Sequence, residues 1–161
     1  TTFVVTNGTF PKVLKKMERP TQLYISIEAP DKETYRKIDR PISIDTWDRL
    51  MESLDIMKNL RRKTRTTLRI TLIKGHNMFD PEGYARLVEK ANPMFVEVKA
   101  YMFVGASRHR LSIKNMPLHG EVRAFAQDIA KQCRYKIIDE QKESRVVLLM
   151  KRDFKGRIMR F

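Results

Sequence analysis

Cysteine is almost absent from this sequence, which has only Cys133 among its 161 residues. One cysteine excludes a disulfide within the chain and any metal site built from several of its cysteines. The three histidines, His76, His109 and His119, lack the spacing of a metal site, so we predict no metal ligands here. No run of about 18 apolar residues and no signal-peptide pattern is present, which disfavours a membrane or secreted protein and favours the cytoplasm.

Acidic residues are also few for a chain this rich in basic ones. Lys and Arg number 33 and Asp and Glu 19, which gives a net charge of +14. Because the positive charge is clustered, at residues 58–65 and 108–114, we favour a nucleic-acid partner over a basic surface without a partner. The length is that of about one domain, and 42% apolar content is typical of a globular protein.

Strand and helix patterns alternate along the chain. Asp31, Asp45 and Asp80 are predicted to cap helices, because each carboxylate precedes an apolar helical stripe. We predict strands at residues 2–5, 23–27, 66–73 and 95–100, helices at 11–17, 31–38, 45–60, 80–91 and 118–133, and a closing strand pair or hairpin at 135–138 and 146–150. This alternation predicts βαβ units and a parallel sheet.

Three successive predicted strands each keep one polar face, although parallel strands are usually apolar on both. The polar pairs are Ser26 and Glu28, Arg69 and Thr71, and Glu97 and Lys99. Helices on both faces of a doubly wound sheet would bury these charges at a high cost. The fold class we predict is therefore α/β, a partial parallel (β/α) barrel whose polar faces line the interior. Residues 1–150 would form it, with a basic loop at 101–117, and 151–161 a basic tail.

Several segments resemble the radical S-adenosylmethionine (SAM) barrel, namely TNG, ISIEAP and RITLIKGHN at the ends of three strands. The longer run from RPTQLYISIEAP through RPISIDTWDRL, ANPMFVEVKAYMFVGASRHRLSIKNMPLH and ESRVVLLMKR is similar to the archaeal tRNA 4-demethylwyosine synthases. The KAYMFVG…NMPLH segment is far more specific than TNG. The resemblance spans nearly the whole chain.

The resemblance implies an activity on tRNA. Such an enzyme, a lyase of the wybutosine pathway, condenses N1-methylguanosine of tRNA-Phe with carbons from pyruvate to form 4-demethylwyosine. It uses S-adenosylmethionine, a [4Fe-4S] cluster and an electron donor, and we expect the complete enzyme to be a monomer. The family's C-x3-C-x2-C motif is absent from this chain, whose start, Thr1-Thr2-Phe3, has no initiator methionine. We therefore expect the C-terminal half of a longer enzyme, without the N-terminal strands and inactive alone.

The resemblance also implies which residues bind the cofactor. Thr6 and Ser26 would bind the ribose or aminoacyl group of S-adenosylmethionine, with help from Asn7, and Arg69 would pair with its carboxylate. The predicted cofactor-binding set is Thr6, Asn7, Ser26, Glu28, Arg69 and Thr71. An ordinary turn at residues 6–7 and a water-filled barrel interior around Ser26 and Glu28 remain alternatives.

Lys99 and Lys74 are the amines that could hold pyruvate as a Schiff base. Such a lysine must be partly unprotonated, which a nearby cation or desolvation favours. We favour Lys99, because it lies on the polar face, whereas Lys74 follows a strand end. The alternative for Lys99 is an ion pair with Glu97 or Glu28.

The loop at residues 101–117 mixes cations with aromatic rings, as an RNA-binding surface does. The RNA-binding residues that we predict are Tyr101, Arg108, His109, Arg110 and Lys114. A solvated loop is the alternative. For the whole chain, a non-catalytic basic RNA-binding α/β module and an aldolase-like barrel without iron remain alternatives.

Overall fold

Strands and helices alternate in the computed structural model, which describes residues 1–61 and 63–159. The described elements are β1 (Phe3–Thr6), α1 (Pro11–Lys16), β2 (Gln22–Ile27), α2 (Lys32–Asp39), α3 (Thr46–Leu60), β3 (Arg65–Leu72), α4 (Pro81–Ala91), β4 (Phe95–Ala100), α5 (His119–Lys131), β5 (Lys136–Gln141) and β6 (Val146–Met150). Arg62 of the predicted basic cluster and Arg160 and Phe161 of the predicted tail lie outside the described residues. No helix of the described part is long and apolar enough to cross a membrane.

Two of the three predicted helix caps form. Asp31 accepts hydrogen bonds from the N–H groups of Glu33 and Thr34 at the start of α2, and Asp80 accepts one from Gly83 at the start of α4. The prediction for Asp45 is wrong in its chemistry. Asp45 occupies the N-cap position of α3, but its carboxylate makes no cap hydrogen bond and binds the Ser43 hydroxyl and the Arg49 side chain instead.

The strands form one six-stranded sheet with the order β1-β2-β3-β4-β6-β5. The pairings β1–β2, β2–β3 and β3–β4 are parallel, as predicted. The closing pair is a hairpin in which β6 pairs antiparallel with β4 and β5 pairs antiparallel with β6, so the sheet is mixed. A short connection between β5 and β6 leaves the chain no room for the crossover that a parallel pair requires. β1 and β5 are the edges of the sheet in the described part, and the partial barrel stays a prediction.

The apolar core lies on one face of the sheet, beneath the helices. Side chains of β2, β3, β4 and β6 form one buried cluster with residues of all five helices. Gly8 links this core to the end of β1, because Ser53 of α3 donates a hydrogen bond of 2.6 Å to its carbonyl oxygen. Gly8 has a φ of +71°, and an added Cβ would lie 2.8 Å from Leu50 Cδ1. Only glycine fits this turn without strain.

The tail packs on the end of the sheet where β3 and β4 begin. The ring of Phe154 lies 6.2 Å from that of Phe95, and the Arg65 guanidinium lies over both rings. Arg157 forms ion pairs with Asp139 and Asp153. Residues 151–159 therefore cover the amino ends of the strands and leave the carboxyl ends of the parallel strands to the loops. The division into residues 1–150 and a tail stays a prediction.

Candidate functional site

Polar side chains of three neighbouring parallel strands lie side by side on one face of the sheet. Strand register places Ser26 beside Arg69 and Arg69 beside Glu97, while Thr71 lies beside Lys99 one step nearer the carboxyl ends. Each of these side chains is half-buried. We call this set of five residues the polar row. The sequence predicted their common face, because residues two apart in a strand point the same way.

Arg69 is held from two sides. Its Nε donates a hydrogen bond of 2.7 Å to Glu97 Oε1, and its Cζ lies 4.6 Å from the centre of the Tyr24 ring. The Arg69 side chain is 25% exposed. Its two terminal nitrogens make no hydrogen bond to any described residue. Arg69 is thus oriented through Nε and keeps the two donors that suit a ligand carboxylate.

Three other members of the polar row are open to a ligand. Within residues 1–61 and 63–159, the hydroxyls of Ser26 and Thr71 and the Lys99 amine have no hydrogen-bond partner. Glu97 pairs with Arg69. The alternative of an ion pair between Lys99 and Glu97 or Glu28 is therefore wrong in this structure.

Lys74 differs from Lys99 in its contacts. The Lys74 amine forms an ion pair with Glu121 of α5 and is half-exposed. Its backbone is held by Asn115, whose carbonyl accepts from the Lys74 N–H at 2.8 Å and whose amide donates to the Lys74 carbonyl at 3.0 Å. Lys74 therefore joins β3 to the basic loop and to α5.

Glu28 stands just beyond the end of β2 and has an unusual proton affinity. Burial, and then the nearby Asp39 carboxylate, raise the pKa of Glu28 to about 8, and Arg69 opposes this effect. Among the described residues its carboxylate has no hydrogen-bond partner. At neutral pH much of Glu28 is protonated, so it can donate as well as accept a hydrogen bond.

Asn77 positions the carboxyl end of the sheet and was missed by the sequence reasoning. Its fully buried side chain donates hydrogen bonds of 2.8 Å to the carbonyls of Glu28 and Thr71 and accepts one of 2.6 Å from the Ile73 N–H. Tyr84 donates to the Asn77 carbonyl. Asn77 thus ties the ends of β2 and β3 together. The only sequence signal for this role of Asn77 is that an asparagine follows a buried strand by five residues.

Thr6 and Asn7 form the turn after β1. The Thr6 hydroxyl accepts from the Gly8 N–H at 3.1 Å, and Asn7 Oδ1 accepts from the N–H and hydroxyl of Thr9. Register pairs Thr6 with Ile25, which belongs to the apolar core, so Thr6 does not share the face of Ser26. The structure therefore does not bring Thr6 into the polar row.

The predicted RNA-binding residues follow β4 in the basic loop. Arg108, His109, Arg110 and Lys114 are exposed, and the Arg108 guanidinium lies 5.4 Å from the centre of the Phe103 ring. Tyr101 is only 8% exposed, and its hydroxyl lies 2.9 Å from Ser107 Oγ. The four exposed side chains can contact a ligand on this surface. Tyr101 is buried instead, and its hydroxyl contacts the loop at Ser107.

The residues present do not fit an iron–sulfur cluster. Cys133 is half-buried at the end of α5, where its thiol donates to the Ile129 carbonyl. Burial raises the pKa of this thiol, which disfavours the thiolate that a cluster needs. No group of three or more metal-ligating side chains occurs in the described part of the chain. The described residues therefore do not supply the ligands of such a cluster.

Comparison with known families decides the class of this chain. The pattern of the Radical SAM superfamily matches residues 1–88, and the pattern described as Wyosine base formation matches residues 90–151. The chain belongs to the Radical SAM superfamily. Its first match runs from β1 into α4 and includes Ser26, Arg69 and Thr71 of the polar row. The second match contains Lys99 and the basic loop.

Curated relatives confirm the resemblance to archaeal tRNA 4-demethylwyosine synthases. The chain is 54% identical over 158 residues to the "S-adenosyl-L-methionine-dependent tRNA 4-demethylwyosine synthase" of Pyrococcus abyssi, with 95% of this chain and 46% of that protein aligned. It is 42% identical to the protein of that name in Methanocaldococcus jannaschii, with 92% and 46% aligned. The chain thus spans about half the length of these relatives.

Solved structures show the same architecture. "Structure of TYW1 with a lysine-pyruvate adduct bound" superposes with a TM-score of 0.83 at 40% identity, and covers 94% of this chain and 47% of its own. "Crystal structure of archaeal TYW1" superposes with a TM-score of 0.75 at 36% identity, with 94% and 46% covered.

Proposed function

We propose that this chain supplies the polar row and the basic loop of an enzyme that converts N1-methylguanosine of tRNA-Phe to 4-demethylwyosine with pyruvate-derived carbons. The observation that carries the proposal is the polar row itself. Its hydroxyls, amine and guanidinium converge on one face and are mostly without partners in the described chain. The 54% identity to a 4-demethylwyosine synthase supports this reaction as the one in which the polar row would act.

Arg69 is the residue that we assign to the carboxylate of S-adenosylmethionine. Its terminal nitrogens can form two parallel hydrogen bonds to a carboxylate, while Glu97 and Tyr24 hold the guanidinium in place. Ser26 lies next to Arg69 in register and can bind a neighbouring polar group of the same ligand. When bound, S-adenosylmethionine would supply radical chemistry at the family's [4Fe-4S] cluster, and this chain binds and orients it.

Lys99 is the residue that we assign to pyruvate. A neutral amine attacks the keto carbon, a carbon–nitrogen double bond forms, and water leaves with the carbonyl oxygen. Lys99 lies two residues beyond Glu97 on β4 and beside Thr71, and its amine has no ion-pair partner in the described chain. Lys74 is the second candidate, but its amine is already engaged in an ion pair with Glu121.

The experiment that tests the proposal uses the full-length protein containing this chain, with reconstituted clusters, a reductant, S-adenosylmethionine, pyruvate and tRNA bearing N1-methylguanosine. Mass spectrometry of the digested tRNA should show the tricyclic base, and Arg69→Ala should abolish it. Lys15→Gln is the control, because Lys15 is exposed on α1 and has no ion pair in the described chain. Unmodified tRNA with the wild-type protein would overturn the proposal.

A non-catalytic RNA-binding module is the second candidate, favoured by the net charge of +14 and by the misfit of the described residues to a cluster. It predicts that full-length protein binds tRNA, releases it unmodified and holds no iron. An aldolase-like barrel without iron predicts a pyruvate adduct in the same iron-free protein. Iron content and product formation therefore separate the three.

A further inference from the structure

A cleft of about 390 Å³ opens just beyond the carboxyl end of β3. Its walls come from the end of α2, from the segment between β3 and α4, and from the basic loop. We call it the Phe79 cleft. Its volume is within the range of pockets that bind small organic groups. The lining residues that bear on its chemistry are Lys37, Arg40, His76, Phe79, Arg110 and Leu111.

The charge of the Phe79 cleft is positive and uncompensated. Arg40, His76 and Arg110 are exposed, and within the described chain their side chains have neither a carboxylate nor a hydrogen-bond partner. Lys37 alone among the cleft's cations is neutralised, by Glu33 at 2.7 Å. No acidic residue lines the described cleft. Three converging cationic or ionisable groups without a counter-ion favour an anion such as a phosphodiester.

An aromatic ring stands beside these cations. Phe79 is 47% exposed, although it belongs to the same short segment as the fully buried Asn77. Leu111 adds apolar surface to the cleft. Proteins that bind single-stranded nucleic acid combine exposed aromatic rings with cationic groups, because bases stack on the rings and phosphates contact the cations.

The Phe79 cleft is close to the polar row along the chain. Ile73, which lines the cleft, follows Thr71 by two residues, about 7 Å at the rise of a strand. Asn77 fixes the same segment by binding the carbonyls of Glu28 and Thr71. A nucleotide held in the cleft would therefore be a near neighbour of one presented to the polar row.

We propose that the Phe79 cleft binds one unpaired nucleotide of the RNA substrate, next to the nucleotide that reacts. Arg40 and Arg110 would contact its phosphate, and its base would stack on Phe79. This inference rests on the proposed function and names the feature of tRNA that the site recognises, an unpaired loop nucleotide. A base-paired stem cannot supply such a nucleotide, since its bases are already stacked and paired.

The test measures equilibrium binding of full-length protein to a fluorescein-labelled RNA hairpin with a seven-nucleotide loop, and to a duplex of the same charge without a loop. Phe79→Ala should weaken hairpin binding about 5- to 150-fold, the usual range for a lost base–aromatic stack. Phe79→Trp should retain binding. Phe10→Ala is the matched control, because Phe10 is 66% exposed and lies outside the cleft.

The salt dependence of RNA binding distinguishes the contribution of the Phe79 ring from that of the cationic side chains. Arg110→Gln should lower the slope of log affinity against log salt by about 0.7, the value for one lost phosphate contact to a single strand, whereas Phe79→Ala should leave the slope unchanged. Lys15→Gln is the control for the charge change, because Lys15 of α1 is exposed, lies outside the cleft and has no ion pair in the described chain. Arg110→Lys should restore the slope.

Two results would overturn the cleft proposal. One is equal affinity of the wild-type protein for hairpin and duplex, and the other is unchanged hairpin binding by Phe79→Ala and Arg110→Gln. Both results concern RNA binding and do not test the proposed reaction. The product assay with Arg69→Ala tests that reaction separately. Product formed by wild-type protein together with unchanged binding by the cleft variants would reject the cleft alone.

Discussion

Arg69 and Glu97 are direct neighbours in the register of β3 and β4 and share a hydrogen bond of 2.7 Å between Nε and Oε1. The Glu97 carboxylate binds Nε of Arg69 and leaves the two terminal nitrogens of the guanidinium free within the described chain. A ligand carboxylate and Glu97 therefore need not compete for Arg69. The ion pair with Glu97 therefore orients Arg69, while the terminal N–H groups of Arg69 stay available to the carboxylate of a ligand.

This geometry predicts unequal effects of substitutions at the two positions. Arg69→Ala should weaken binding of S-adenosylmethionine to full-length protein by about 100-fold, because a bidentate charge-assisted contact is lost. Glu97→Gln should weaken it by only about 3- to 10-fold, since the amide can still accept the Nε–H hydrogen bond. Isothermal titration calorimetry measures both. Equal losses for the two variants would contradict the division of roles.

The contacts of Lys99 and Lys74 predict which lysine traps pyruvate. Borohydride reduction in the presence of labelled pyruvate should label wild-type protein and Lys74→Ala at Lys99, and should leave Lys99→Ala unlabelled. Peptide mapping by mass spectrometry locates the label. A label on another lysine, with Lys99 unmodified in the wild-type protein, would exclude Lys99 from this role.

Asn77→Ala should lower the free energy of unfolding by about 2 to 5 kcal/mol. The substitution removes three hydrogen bonds and leaves the Glu28 and Thr71 carbonyls and the Ile73 N–H without a partner in a buried setting. Urea unfolding measures the loss. His76→Ala, at the exposed neighbouring position, is the control and should change stability by less than about 0.5 kcal/mol. A loss as small as the control's would show that Asn77 does not hold the strand ends together.

The raised pKa of Glu28 predicts a pH-dependent stability. The folded protein binds this proton more tightly than the unfolded chain, so Glu28 costs no stability below its ordinary pKa of 4.5 and costs progressively more as pH rises to about 8. Glu28→Gln stays neutral. Its stability relative to wild type should therefore increase across this window, by up to about 5 kcal/mol at the upper end.

Urea unfolding at several pH values between 4 and 9 measures this difference. Glu143→Gln serves as the control, because Glu143 is exposed and has no ion pair in the described chain. A Glu28→Gln difference that is constant with pH would mean that Glu28 keeps its ordinary pKa in the folded protein.

Most strands and helices were predictable from the sequence because their signals are local. The alternation in β2, β3 and β4 placed Ser26, Arg69 and Lys99 on one face, and Asp31 and Asp80 marked two helix starts correctly. The family was also recognisable from the sequence, through strand ends such as ISIEAP and RITLIKGHN.

Partners of the site residues were not predictable in the same way. That Glu97 binds Arg69 and leaves Lys99 open depends on the register between strands that are 28 residues apart at this pair. The pairing of Lys74 with Glu121 spans 47 residues. A strand pattern says which face a side chain occupies, but the same pattern is compatible with several registers, and each gives different neighbours.

The sequence by itself determined the alternating architecture, the polar face and the basic loop, because periodicity, caps and turns act between residues close together in the chain. Only the tertiary structure decided that the last hairpin joins β4 antiparallel, that Asn77 binds two strand ends, and that Arg40, Phe79 and Arg110 share one cleft. These relations come from packing loops from distant segments at one edge of the sheet, and their energies depend on distances that sequence spacing does not specify.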